Sequence, residues 1–241
     1  MTEKTLQQLK TAEIEKISHL DYFNIAISVD CVIFGYTTRD MFVALTKCDM
    51  PPFEGDYSLV GDIVQPSENL DQAANRILQE RTGLTNVYLE QVQTFSETNR
   101  HPLGRVVTVA YYSLIKLNEY YDKLPGEDFL IWRNIKDVDT LAFDHKEIFD
   151  VCLSRLQKQV KEQPVGFNLL PKKFTLNQLQ ELYEVILGVE LDKRNFRRKL
   201  KSLNILQDHD ELQTDVSHRP AKLYSFNKKL YEQRVADNFL F

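Results

Sequence analysis

The chain has no apolar run of the ~18 residues that a membrane-spanning helix needs, so nothing in it reads as crossing a bilayer. Its opening stretch, MTEKTLQQLKTAEIEKI, is charged and helical in character and lacks an apolar core region, so no secretory signal is read and the cytoplasm is the expected location. Cysteine is scarce. Cys31, Cys48 and Cys152 are odd in number, far apart and without C-x-x-C spacing, which argues against a disulfide framework and against a zinc site. With 241 residues, 43% hydrophobic and 27% charged, there is material for two ordinary domains of a globular protein. Acid is distributed unevenly. Residues 164–241 hold 13 Lys and Arg against 10 Asp and Glu, a balance of +3, and the rest holds 17 against 25, a balance of −8. An acidic front and a locally basic back suit a sensor joined to a nucleic-acid reader.

Another shortage is more specific. Residues 60–84, VGDIVQPSENLDQAANRILQERTGL, place Glu68, Arg76, Leu78, Glu80, Gly83 and Leu84 at the spacing of the diphosphate-hydrolysing Nudix box, which they resemble. Asp62 stands at the first Gly of that box, and Ile77 and Arg81 stand where two of its three helix carboxylates belong. Magnesium takes a near-octahedral shell of hard oxygens, supplied by carboxylates, water and substrate phosphate. Ile77 is expected to share the cation-facing side of the helix with Glu80, three residues on, yet only Glu80 can ligate. Arg81 brings a permanent positive charge to the same place. Metal activation of water is therefore not expected, and replacing both residues with Glu is the change by which metal binding would return. Leu70, Ala73, Ala74, Ile77 and Leu78 recur at helical spacing, which predicts a helix over 70–81 ended by Gly83.

Around this helix the pattern is of strands. Phe23–Phe34 and Met41–Lys47 read as a pair, followed by strands near Tyr88–Phe95, Val106–Leu117 and Asp128–Arg133. Lys146–Lys161 is amphipathic, with Ile148, Phe149, Cys152, Leu156 and Val160 on one side. Pro164 and Gly166 then break the pattern, and the domain boundary is placed there. Beyond it, Thr175 and Gln178 form a capping box for a helix bearing Leu176, Leu179, Tyr183, Ile186 and Leu187, which Gly188 ends. A second helix, Asp192–Leu203, sets Phe196, Leu200 and Leu203 inward and Arg194, Arg197, Arg198 and Lys201 outward. Six bases and no acid lie between Lys193 and Lys201, and a hairpin from Ile205 to Phe226 follows. Most charge runs are solvated helix faces. Here the preceding helix and the following hairpin point instead to a winged helix–turn–helix whose second helix enters a DNA groove.

Over nearly its whole length the chain resembles the Nudix-related transcriptional regulators of bacteria, the NrtR type. The degenerate box, Phe95–Tyr112, Leu141–His145 and the tail from Phe174 to Tyr224 carry the likeness. It implies an α+β fold, a Nudix α/β/α sandwich over residues 1–163 followed by a winged helix–turn–helix over 164–241. It also implies a non-enzymatic repressor, a homodimer on a palindromic double-stranded DNA operator, with no cofactor and no bound metal. Family members respond to ADP-ribose and govern NAD synthesis, or respond to pentoses and govern sugar catabolic genes. A weak Nudix hydrolase is the remaining alternative. Between effectors, Asp62 decides the expectation. A carboxylate in the turn opposes a pyrophosphate and accepts protons from sugar hydroxyls, so L-arabinose ranks ahead of ADP-ribose.

Candidate effector residues are Asp30, Asp62, Glu68, Glu80, Arg81, Asn99, Arg100, Arg105, Asp144 and His145. Bland roles stand beside several of them. Asp30 can cap a turn, Arg76 can pair with box carboxylates, Asp144 and His145 can cap the next helix, and Arg100 and Arg105 can reach a dimer partner. No nucleophile or metal partner makes His145 a catalytic base. Candidate DNA contacts are Lys172, Lys173, Thr175, Lys193, Arg194, Asn195, Arg197, Arg198, Lys201, His218, Arg219 and Lys222.

Overall fold

A computed structural model describes residues 24–102, 104–117, 130–163, 167, 169–214 and 219–238, with side chains described to 233. The expected N-terminal helix, the break at Pro164 and Gly166, and His218 lie outside these residues.

The organising strand is β1, Ala26–Tyr36. It begins three residues later than the sequence pattern suggests and runs two further, because Gly35 and Tyr36 still pair with Phe42 and Met41 of β2, Met41–Lys47. Along one edge β1 runs parallel to β6, Val106–Lys116, in register from Ala26 opposite Val106 to Tyr36 opposite Lys116. Along the other edge it meets β4, Val60–Ile63, over its first half and β2 over its second. Two-residue β3, Tyr57–Ser58, and β7, Ile131–Asn134, both add to β2, and β5, Glu90–Phe95, adds to β6. A strand paired on both edges and covered on both faces must be apolar on both, and Val29 to Phe34 are all buried, Asp30 being the one charged group among them.

Each face is closed by one helix. α1, Leu70–Thr82, starts at a capping box in which Asn69 and Gln72 each accept the other's backbone N–H, and Gly83 ends it at φ 71°, a left-handed conformation that costs glycine little. It packs Ala73, Ala74, Ile77 and Leu78 against Val29, Cys31 and Ile33. α2, His145–Glu162, packs Ile148, Phe149, Cys152, Leu156 and Val160 against Val32, Phe34 and Val43 on the opposite face. Every residue expected on its apolar side is buried. Burying side chains of this size stabilises the fold by ~1.5–3 kcal/mol each before entropy is counted.

The C-terminal part is a second small core. β8, Phe174–Thr175, leads directly into α3, Leu176–Leu187, and then α4, Lys193–Leu203. A hairpin of β9, Leu206–Leu212, and β10, Lys222–Phe226, follows, and β10 also pairs with β8. α5, Lys228–Asn238, has no counterpart in the sequence reading. Phe167, Phe174, Leu179, Leu200 and Ile205 form the core of this part. The sequence pattern missed Leu182, which with Ile186 turns away from that core and joins the cluster of Phe149, Leu156 and Val160. The Nudix sandwich followed by a winged helix is thus the architecture. Among the described residues no helix is long and apolar enough to cross a membrane.

Thr175 is buried at 3% exposure, and its hydroxyl accepts the Gln178 amide at 3.2 Å while Gln178 Oε1 accepts the Thr175 amide at 2.8 Å. Thr175→Ala should therefore destabilise the chain by ~1 kcal/mol. Urea unfolding followed by circular dichroism checks this, and an unchanged midpoint would refute the cap's contribution.

Candidate functional site

A cavity of about 490 Å³ opens beside the amino-terminal ends of β1 and β6. Its floor is β1 with its neighbours, contributing Ser28, Asp30, Gly61 and Thr108. Lys47, Arg81 and Arg105 stand toward its mouth against Asp49 and Asp62, while Arg100 also lines it but is buried and paired with Asp144. Of the candidate effector residues, Asp30, Asp62, Arg81, Arg100, Arg105 and His145 line this one space. Glu68, Glu80, Asn99 and Asp144 do not. Asn99 is exposed on its loop, and the other three are consumed by arginines.

Arg100 and Asp144 form the tightest unit. The Arg100 Nη2 and Nε donate to the two Asp144 oxygens at 2.5 and 2.7 Å, and Nη1 donates to the Thr108 hydroxyl. Thr108 in turn bonds Ser28 at 2.5 Å. Asp144 occupies the N-cap position of α2 but makes no side-chain cap bond, because its carboxylate is spent on Arg100. The expected cap is in this respect corrected. His145, first in the helix, accepts the Leu59 amide on Nδ1 at 3.0 Å and sets Nε2 3.4 Å from Asp30 Oδ2. Burial lowers the His145 imidazole below its usual pKa against the pull of Asp30, and burial raises the Asp30 carboxyl against His145 and then Arg100. Arg105 donates to the Ser96 and Glu97 carbonyls at 2.7 and 3.1 Å and so holds the adjoining loop.

Sequence reasoning missed the aromatic wall. Phe143 sits at φ 55°, unusual for a residue with a bulky side chain. It stacks on His101 at 5.1 Å and 7° and meets Phe53 at 4.7 Å. Left-handed backbone at a non-glycine residue is a feature of functional sites. The only signal in the sequence is that Phe143 lies inside the Leu141–His145 stretch.

The Nudix-like box has become a closed ion cluster. Arg76 donates to Glu68 at 2.6 Å, to Glu80 at 3.0 Å and to the Ile63 carbonyl at 3.0 Å. The Arg76 bonds hold the Glu68 carboxyl below its usual range. Contrary to the expectation from spacing alone, Ile77 does not share a solvent face with Glu80. It is 0% exposed in the core beneath α1, while the Glu80 side chain is 55% exposed. Arg81 reaches across to Asp62 at 2.7 Å. This pair overturns the ground for ranking a pentose first, because the Asp62 charge is neutralised by the very residue that replaces a box carboxylate. Among the described residues no group of three or more His, Cys, Asp or Glu side chains is arranged to hold a metal ion.

A second surface lies on α4. Lys193, Arg194, Arg197, Arg198 and Lys201 border one shallow depression of about 540 Å³. Asp192 caps the helix by accepting the Asn195 amide, Arg197 is steadied by Asn177 at 2.9 Å and Arg198 by Asn195 at 2.7 Å. The remaining DNA candidates are placed differently. Lys173 is paired with Glu211 at 2.6 Å, and Lys222 with Asp208 and Asp210 at 2.8 Å. Lys172 and Arg219 are exposed, and Thr175 is buried as a cap.

Comparison with known proteins falls on both parts. Residues 25–152 match the NUDIX domain and residues 166–226 the NrtR DNA-binding winged helix domain. An ADPR-responsive transcriptional repressor of Acinetobacter baylyi is 31% identical over 216 residues, 88% of this chain and 86% of that protein. The crystal structure of Shewanella oneidensis NrtR complexed with a 27mer DNA superposes with a TM-score of 0.70 at 29% identity, covering 86% of this chain and 95% of that one. The NUDIX domain of the same Shewanella protein complexed with ADP ribose gives 0.50 at 28% identity, covering 65% and 99%.

Because Ile77 is inside the core, Ile77→Glu strands a carboxylate in a dry environment and should cost ~3–5 kcal/mol at neutral pH. Arg81→Glu, at a half-exposed position, should cost under ~1 kcal/mol. Chemical denaturation of the two single variants separates these outcomes. Equal, small losses would show that Ile77 is free to turn outward, and restoration of a cation site would then be open.

Proposed function

The chain belongs to the NrtR-type family of Nudix-fused winged-helix regulators, and on that premise we propose that it represses transcription by holding operator DNA through α4 and lets go when ADP-ribose fills the cavity. The single observation that carries the effector assignment is the cavity rim, where Arg81 cancels Asp62 and where Arg105 and Lys47 outnumber Asp49. A diphosphate is the natural anion for such a rim, since guanidinium groups bind phosphate oxygens with fork geometry. The relatives named as ADPR-responsive or complexed with ADP ribose support the same choice. L-Arabinose, expected first from Asp62 alone, falls behind.

In this proposal residues 1–163 receive the effector and 164–241 read DNA, as a homodimer on a palindromic operator. Half-sites on one face of B-DNA recur about every 34 Å, so a dimer loses one recognition helix when its spacing changes. Effector and operator are coupled reciprocally, with a typical strength of ~1–3 kcal/mol per site. Phosphate contacts from Lys193, Arg194 and Lys201 supply salt-dependent affinity, and Arg197 and Arg198 carry base discrimination. The Arg76 cluster leaves Glu68 and Glu80 engaged, which supports a receptor over a hydrolase.

Gel shifts on DNA from upstream of the gene test the reading. ADP-ribose should weaken the complex and L-arabinose at the same concentration should leave it intact. Release by the sugar alone would reverse the effector, and turnover of ADP-ribose in magnesium would make the protein an enzyme. Lys201→Ala should weaken binding across sequences and reduce the salt slope by about one. Arg197→Ala or Arg198→Ala should cost ~1–3 kcal/mol on the operator and less on random DNA. Parental binding by all three variants would remove α4 as the recognition helix.

A further inference from the structure

The cavity floor holds a carboxylate of a different kind from those around it. Asp62 is spent on Arg81, Asp144 on Arg100, and Glu68 and Glu80 on Arg76. Asp30 is 5% exposed, yet its ion-pair contact with His145 spans 3.4 Å, too long for a strong hydrogen bond. His145 cannot close that gap by becoming a full counter-ion. Its Nδ1 accepts the Leu59 amide, so the ring is neutral with its proton on Nε2.

Space has been left for the Asp30 head group. Gly61 lies opposite it in the β1–β4 register, and a Cβ there would come 1.9 Å from Asp30 Oδ1. Any side chain at 61 collides with the carboxylate or displaces it. The position is thus kept empty beside a buried acid that lines a cavity. A carboxylate that reaches a cavity and is held within the protein only by a long contact to His145 has acceptor capacity left for donors that a ligand brings.

The chemistry of those donors follows from the surroundings. A cationic ligand is opposed by the arginines of the rim. Neutral hydroxyls are not, and an ionised carboxylate accepts from them in charge-assisted bonds, two oxygens matching two adjacent hydroxyls. We infer that Asp30 is the specificity-determining residue of the cavity, accepting the vicinal diol of a ribose ring of the effector, with His145 positioning it and Gly61 making its room. The inference rests on the ADP-ribose reading above. It places a sugar on the floor and the diphosphate at the rim, so one molecule answers both the acid below and the bases above.

Calorimetry on the full chain tests it with three ligands: ADP-ribose, ADP, which lacks the terminal ribose, and 2′-deoxy-ADP-ribose, which lacks the adenosine diol. The parent should bind ADP-ribose and lose affinity for one of the two truncated ligands. Asp30→Asn, of nearly the same volume, should weaken ADP-ribose roughly tenfold or more and erase that discrimination, leaving the affinity for the ligand that already lacks the diol unchanged. Gly61→Ala, which keeps every charge but pushes the carboxylate aside, should do the same. Thermal unfolding with each variant shows that it is folded. Parental affinities in both variants, or a loss equal for all three ligands, would overturn the role of Asp30. Failure of the parent to bind any of the three would overturn the ADP-ribose reading itself, and the ribose assignment with it.

Discussion

Parallel pairing of β1 with β6 places two strands, eighty residues apart in the chain, side by side from Ala26 and Val106 onward. Everything that defines the cavity hangs on that pairing and on the alternation of side chains along a strand. On β1 the odd residues Val29, Cys31 and Ile33 enter the core under α1, while Val32 and Phe34 meet α2. Ser28 and Asp30 share the second face but stand beyond the start of α2, where His145 and Arg100 replace packed methyl groups. A slip of one residue would send Asp30 under α1 and Val29 into the cavity. Fold and receptor are therefore specified by one register.

The same sandwich explains how a hydrolase-like box comes to serve another purpose. Three exchanges relative to the Nudix pattern answer one another physically. Ile77 adds apolar volume beneath α1, Arg81 supplies a cation, and Asp62 supplies its anion across 2.7 Å. Where the Nudix pattern would hold an ion, this chain carries paired side chains, and Arg76 engages the remaining two carboxylates. Such half-exposed pairs add little to stability.

Much of this was legible in the residues. Helix limits followed from local chemistry, as with the closure at Gly83 and the span from Thr175 to Gly188, because capping and left-handed closure depend on neighbours within a turn. The basic face of α4 was legible for the same reason, since helical spacing alone sorts Arg194, Arg197 and Lys201 from Phe196 and Leu200. Contacts between distant segments were not. Nothing local links Asp62 to Arg81, Arg100 to Asp144 or Asp30 to Gly61, and each of these changes what a carboxylate can do. The pentose expectation lost its ground on this point, because it treated Asp62 as a lone charge. Phe143 and His101 were silent because loops carry no periodicity from which stacking can be read.

One helix touches both ends of the molecule's business. α2 begins at His145, on the cavity, and its later residues Leu156 and Val160 lie in one apolar cluster with Leu182 and Ile186 of α3, where Gln157 also donates to the Ile186 carbonyl at 3.2 Å. Near its C-terminal end it is fastened to the sheet by Gln159, which reaches Glu90 at 2.5 and 2.6 Å, with Tyr112 and Arg155 closing the network. A helix of 18 residues is a stiff rod about 27 Å long, so a tilt of roughly 5° at one end is a sweep of about 2 Å at the other. Fastened beside α3 and free of that anchor toward His145, such a rod is a long arm hinged at its far end, and the Glu90 network is what keeps Leu156 and Val160 seated against Leu182 and Ile186.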